Sequence, residues 1–434
     1  MGLSAAATRQ RLHDGASSKG RPQQGSSFRM QPAGTAPRRT TPLRALALLV
    51  QWLFLEHWSA RLASRPVRIA VLLLALPLAA YLSFKAVGNQ ITETNLLHED
   101  RVNLALYLDG TADKPFVYRV LNPTLVRAAE AAGAPALLRA LPGPLAGKLP
   151  EWCAAITVTP AATCDDLAAY VAVAGVEVFA FLLLIYAICR RLFDNPLIAL
   201  FGLGFAFFGV NAVLLQKLSH LYDFGVLMWV TVLLLCLQRG WSIAFTLLLP
   251  LAFLTKETLI LYAGGFFLAD LGRRDPGRTA ALFLVQIASY VVIHGWVRLH
   301  FAGNPGLGHE YYLPVQIYFF TEQITLPLLL LLTVALLLIF HRFGEKDAAL
   351  RRAGIVIVPW FVLFLIGGVD KEVRVVFEVL PLLLLFAIDS LVRLVPGLPP
   401  SRLPPSRLPP SRLPPSRLPP SRLPPSLAAR PGAG

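Results

Sequence analysis

The residues able to do chemistry fall in a few tight clusters that interrupt long apolar runs. His98-Glu99-Asp100 follows the first such run, with Glu93 just ahead of it and Tyr118-Arg119 further along. His220 and Asp223 stand three apart, Lys256 abuts Glu257, and two later clusters are His309-Glu310-Tyr311-Tyr312 and Asp370-Lys371-Glu372-Val373-Arg374. A carboxylate in such company suits removal of a proton from an attacking hydroxyl or amide. Arginine and lysine suit an anionic leaving group whose charge grows in the transition state, Arg as a fork and Lys as a point charge. Glu99 or Asp100 is the candidate base, with Glu93 in reserve. Arg119, Lys256 and Arg374 are the candidate anion clamp, and His220, Asp223, Glu257 and Tyr118 the candidate substrate contacts. Each also has a plainer explanation. Glu99 and Asp100 can be a solvated pair answering Arg101, Lys256 can bridge to Glu257, Arg374 can pair with Glu378 four residues on, and Arg119 can snorkel to headgroups. His220 and Asp223 could hold a divalent ion together with Glu99 or Asp100. Two candidate ligands do not make a site, so no metal is assigned and no cofactor is required.

The elements that must position these residues are helices in a membrane. Of 434 residues, 55% are hydrophobic and 15% charged, against about a quarter charged in a soluble domain. Apolar runs fall at about 67–87, 168–190, 195–216, 223–238, 241–255, 258–271, 279–300, 323–341, 353–369 and 375–394. The expected fold is therefore all-α and polytopic, with about ten transmembrane helices over 67–394. Residues 1–44 read as a disordered basic tail, 45–66 as an interfacial helix, and 395–434 as a low-complexity tail repeating Ser-Arg-Leu-Pro-Pro. Glu177 is the most unusual placement, about ten residues into its apolar run, where a carboxylate is either functional or a hydrogen-bonded interhelical contact.

Direction follows from charge. Fusing 241–271 into one span would bury Lys256 and Glu257 at mid-bilayer, at about 3 kcal/mol for each ionised group. Splitting it into two spans, with both termini cytoplasmic, leaves 28 Lys+Arg against 8 Asp+Glu inside and 12 against 15 outside. That asymmetry is what the positive-inside rule demands, and it explains the net charge of +15 without nucleic acid as a partner. Every chemical cluster then lies on the outer, extracytoplasmic face of an inner (plasma) membrane.

The first outer loop, 88–167, is long. Pro115 to Gly133 reads as a helix on the bilayer surface, with Asn122 as N-cap, Pro123 in the first turn and Gly133 closing it. Leu121, Leu125, Val126 and Ala129 share one face, leaving Arg127 and Glu130 in water. Leu137–Leu149 reads as a shorter second helix. Cys153 and Cys164, 11 residues apart in this loop, make a plausible disulfide, whereas Cys189 and Cys236 read as small core residues.

Taken together, the acidic cluster after the first span, the long outer loop with surface helices, the short paired central spans and the outward Lys-Glu and Asp-Lys-Glu-x-x-Arg clusters resemble the GT-C superfamily. Those are integral-membrane glycosyltransferases that use polyprenyl-phosphate sugars. Lys-Pro-Phe-Val-Tyr-Arg-Val-Leu-Asn-Pro (114–123) and Leu-Thr-Lys-Glu-Thr (254–258) resemble uncharacterised bacterial membrane proteins related to that group. The resemblance implies transfer of a sugar from a polyprenyl-phosphate donor to an acceptor glycan, lipid or protein on the extracytoplasmic face. It makes the clamp of Arg119, Lys256 and Arg374 a phosphate clamp. The alternatives are a multi-pass transporter or lipid flippase, a surface-polysaccharide polymerase or ligase, and a non-catalytic membrane subunit. Against transport stand the lack of an internal repeat and of matched Gly/Pro-broken spans.

Overall fold

A computed structural model describes residues 65–93, 103–140, 144–156, 162–193, 195–214, 220–271, 273–306, 313–318, 326–367 and 373–395. The chain divides into two units, 1–46 and 47–434, and the first lies outside the described residues. So do both tails, nearly all of the expected interfacial helix, and the candidate bases Glu99 and Asp100. The same holds for 307–312 and 368–372 and for the side chains of Glu93 and Arg374. Helix makes up 86% of the described residues, and no strand occurs among them.

Over its described residues, each of the ten apolar runs is mainly helical. They form α1 (Arg65–Glu93), α6 (Cys164–Phe193), α7 (Pro196–Leu214), α8 (Asp223–Arg239), α9 (Ser242–Thr255), α10 (Leu261–Asp270), α11 (Pro276–His300), α13 (Leu326–Phe340), α15 (Ile357–Gly367) and α16 (Leu380–Leu394). Helix α15 is preceded by the short α14 (Ala348–Ala353) and a 3₁₀ turn over Gly354–Val356. Among the described residues, five segments are long and apolar enough to cross a membrane: Pro66–Thr92, Cys164–Phe193, Pro196–Leu214, Pro276–His300 and Ala348–Ile366. Apolar side chains stand exposed along them, Leu73, Val176, Phe208, Val292 and Leu299 among others, which a bilayer accommodates and water does not. This is a helical membrane protein.

Local chemistry sets the helix ends. Helix α6 starts with a reciprocal cap: Thr163 N–H donates to Asp166 Oδ2 at 2.8 Å, and Asp166 N–H donates to Thr163 Oγ1 at 3.1 Å. Its first turn carries Asp165 and Asp166 and its last Arg190 and Arg191, matching the helix dipole. Asp275 caps α11 ahead of Pro276. Gly240, at φ +69°, turns the chain out of α8 in a conformation that favours glycine.

The chain reverses at Lys256-Glu257. Ser242, at the start of α9, donates to Asp270 at the end of α10 (3.2 Å), and Phe245 stacks on Phe266 with centroids 4.8 Å apart. A fused helix would hold these residues tens of ångströms apart, so the split is a property of the fold. Lys256 itself is extended (φ −159°, ψ 131°) before a 3₁₀ turn over Glu257–Ile260.

The first loop differs from its expected form. Helix α1 runs on to Glu93 and α6 begins at Cys164, so the connection is shorter than 88–167. Within it lie α2 (Leu104–Leu108), a 3₁₀ turn over Phe116–Tyr118, α3 (Leu121–Ala131), α4 (Ala134–Ala140) and α5 (Pro144–Ile156). Pro115 to Gly133 is thus not one helix: Val120 precedes α3, and Asn122 lies inside its first turn rather than capping it. Pro123 does occupy the first turn, and Gly133 follows the end at φ +81°. The expected second helix is two, α4 and α5. A disulfide joins Cys153 to Cys164 and ties α5 to the start of α6. Cys189 and Cys236 are buried and free.

Candidate functional site

The ends of α1, α7, α9 and α11 and the starts of α6, α8 and α10 meet at one end of the bundle, as an up-and-down path requires. There buried Arg119, His220 and Lys256 gather around Tyr222, which sits in the turn entering α8 and is fully buried.

Arg119 follows the 3₁₀ turn of the first loop. The Tyr107 hydroxyl donates to its backbone carbonyl at 2.7 Å, fixing the chain where the side chain departs. The guanidinium lies 4.2 Å from the Tyr222 ring centroid and 5.4 Å from that of Phe116, and it donates to the Tyr222 hydroxyl. Its Nε and Nη2 reach Glu257 Oε2 and Oε1 at 3.4 and 3.2 Å. This fork onto a carboxylate, between two aromatic faces, is a geometry Lys cannot copy. Burial pushes the Glu257 carboxyl up, but the charge and hydrogen bonds of Arg119 outweigh it and hold its pKa down at about 2. Burial raises the Tyr107 hydroxyl well above the usual phenol range, so it stays a donor.

Lys256, 5% exposed, pairs with Glu378 rather than with its neighbour Glu257, Nζ to Oε1 at 2.6 Å. Its ammonium lies 5.7 Å from the Tyr222 centroid. Glu378 ends the 3₁₀ turn Val373–Glu378 ahead of α16, and the Tyr262 hydroxyl of α10 donates to its carbonyl at 2.8 Å. Glu378 therefore answers a cation from another hairpin, while the side chain of Arg374, its other expected partner, lies outside the described residues. Two cation–carboxylate pairs thus flank one tyrosine, joining the first loop, the α9–α10 turn and the start of α16.

His220 and Asp223 do not meet as two side chains on one helical face. Asp223 Oδ2 accepts from the His220 backbone N–H at 2.7 Å, capping the entry to α8. The His220 ring packs edge-on to Phe116 (4.8 Å) and beside Tyr222 (5.5 Å). Gln90 of α1 donates to the His220 carbonyl at 3.0 Å, and Tyr170 of α6 donates to Gln90. Tyr118 turns away from the ion pairs to His294 of α11, ring centroids 6.1 Å apart. Among the described residues no group of three or more His, Cys, Asp or Glu could hold a metal ion.

Glu177 has a specific partner. Asn122 Nδ2 donates to both of its carboxylate oxygens, at 2.9 and 3.1 Å. The first-loop helix α3 thus docks into the bundle rather than lying over it. The pair needs Gly225: a Cβ there would stand 2.7 Å from Asn122 Oδ1 and 2.9 Å from Glu177 Oε1. Arg127 reaches Asp109, Glu130 and Asp166, and although burial lowers its pKa, these acids raise it overall.

Gly225 and Gln90 escaped sequence reasoning, Asn122 was read only as a helix cap, and Tyr222 was given no role of its own. Tyr222 lies between two residues already singled out, and its position was the available signal. Nothing local marks Gly225. Comparison with family models, curated proteins and solved structures returned no match.

Proposed function

We propose that this chain is an integral-membrane glycosyltransferase of GT-C type, with ten membrane crossings, moving a sugar from a polyprenyl-phosphate donor to an acceptor on the extracytoplasmic face. The observation that carries it is the pairing of Arg119 and Lys256 with Glu257 and Glu378 around Tyr222 at one bundle end. Buried ion pairs are poor stabilisers relative to apolar packing, so two that share one tyrosine ring and come from separate parts of the chain support a functional reading. In the transfer, the acceptor oxygen attacks C1 of the sugar and the bond from C1 to the phosphate oxygen breaks. The acceptor proton passes to a carboxylate, Glu99 or Asp100, and the phosphate stays on the lipid. Arg119 and Lys256 neutralise the charge growing on that phosphate, with Arg374 as third cation. The donor phosphate then takes the place that Glu257 and Glu378 hold on these cations.

The test is transfer from radiolabelled polyprenyl-phosphate sugars in reconstituted membranes. Wild type is expected to give a glycosylated product. Lys256→Ala and Arg119→Lys should each lower the rate by about 10²–10³, the usual loss for one donor to developing charge. Glu99→Gln with Asp100→Asn should abolish it. A wild-type chain that consumes no donor, or Lys256→Ala at full rate, overturns the proposal; uptake across the same vesicles would then put a transporter in its place.

A further inference from the structure

Glu177 takes no part in the proposed transfer, yet it lies well inside α6 and is only 2% exposed. A carboxylate so placed is expensive and a functional candidate by default. Its hydrogen-bond donor is Asn122, three residues beyond Arg119 in the first loop.

That contact is what seats the start of α3. Of residues 120–124 only Asn122 is buried; Val120, Leu121 and Pro123 are half-buried and Thr124 is exposed. The next buried side chain, Val126, is a full turn further on. Apolar packing there draws the helix in but has no direction. Two bonds from one amide to both oxygens of a carboxylate fix height and rotation together, and Gly225 brings the pair against the backbone of α8. The link back to Arg119 is short and stiff. Three residues span at most about 11 Å, the Thr124 N–H donates to the Val120 carbonyl at 3.2 Å, and Tyr107 holds the Arg119 carbonyl. At its other end the Arg119 guanidinium meets Glu257 at 3.2 and 3.4 Å, leaving no slack for a shift of the helix start.

We propose that Glu177 is a positioning residue: by holding Asn122 it sets where the Arg119 guanidinium sits. Glu177 touches no substrate and acts only through Arg119. This role deepens the transferase reading and rests on it for the effect on rate, whereas the effect on the Arg119–Glu257 pair is independent of any reaction.

Two double-variant cycles on the full chain test it. In thermal unfolding, Glu177→Leu combined with Glu257→Gln should be as stable as the weaker single variant, because Arg119 has already left its partner. Additive losses of Tm overturn the proposal. In transfer from radiolabelled polyprenyl-phosphate sugars, Glu177→Leu should lower kcat by about 10²-fold, the cost of a misplacement of about 1 Å. Glu177→Gln should restore it. The glutamine oxygen still accepts from Asn122, and its amide can donate to Asn122 Oδ1, which is buried and has no hydrogen-bond partner among the described residues. In an Arg119→Lys background, Glu177→Leu should cost nothing further. Equal losses in both backgrounds, as a purely structural role would give, overturn the proposal. A wild-type chain without transfer but with a non-additive unfolding cycle removes the transferase reading and supports the positioning of Arg119. If Glu177→Leu fails to fold, Asn122→Ala takes its place in both cycles with the same outcomes.

Discussion

Arg119 is bound on every side: two aromatic faces, a tyrosine hydroxyl and both oxygens of Glu257. The consequence for Glu257 is an unusually acidic carboxyl, held at about 2. A carboxyl whose pKa is lower folded than unfolded adds stability above its ordinary pKa, near 4.5, and loses it as pH falls towards 2. The gap in thermal stability between wild type and Glu257→Gln should accordingly be flat from about pH 5 to pH 8. It should close between pH 4.5 and pH 2, as followed by unfolding in detergent. A gap that closes instead near neutral pH would show that Arg119 does not hold this carboxylate ionised. Residue types and spacing made Arg119, Lys256 and Glu257 visible in the sequence as candidate site residues. Their partners were not visible, because Lys256 bridges 122 residues to Glu378 rather than one to Glu257, and only the packing of α16 against the α9–α10 turn decides that.

At the scale of elements, the docking of α3 onto α6 and α8 turns on one missing methyl group. Gly225 lets the Asn122 amide and the Glu177 carboxylate lie against the first turn of α8. Gly225→Ala would press both polar groups aside and is expected to cost about 1–3 kcal/mol, as overpacking of a tight contact does. Asn122→Ala also costs stability, by leaving the buried Glu177 without its donor. The two should be non-additive, since removing the amide removes much of what the new Cβ strikes. Additive losses in denaturant titrations would show that the three groups do not share one contact. Of the periodic Leu121, Leu125, Val126 and Ala129, Val126 is almost fully buried and Ala129 packs on the core. Leu121 and Leu125 stay half-buried, and Asn122 takes the second buried place on α3. The same face was assigned to the bilayer surface because periodicity gives a direction and no partner. Asn122, a good cap by type, is instead an interhelical donor.

For the whole molecule, the two bundle ends differ in kind. The Tyr222 cluster occupies one. At the other, Arg273 and Arg274 donate to the carbonyls of Leu237 and Gly240, and Lys346 is buried among Asp389, Ser390 and the Phe386 carbonyl. Burial lowers the Lys346 pKa, and Asp389 opposes that shift. Thr111 and Arg278 are exposed near the two ends respectively. With ten crossings, Thr111→Cys should react with a membrane-impermeant maleimide added outside intact cells, while Arg278→Cys should react only after permeabilisation. Both cysteines reacting from the same side would refute the proposed topology.

The apolar runs and the charge asymmetry by themselves determined an all-helical membrane protein, the reversal at Lys256-Glu257 and the polar clustering. These follow from transfer free energies that each segment carries whatever its neighbours are. The Cys153–Cys164 bridge was legible for a similar reason, since both lie in one loop only 11 residues apart. Which acid meets which cation, that Asp223 caps a helix rather than facing His220, and that α3 enters the bundle were decided by tertiary structure alone. Those outcomes depend on contacts between residues far apart in the chain, on the absent Cβ of Gly225 and on the seating of Tyr222, and no local propensity encodes them.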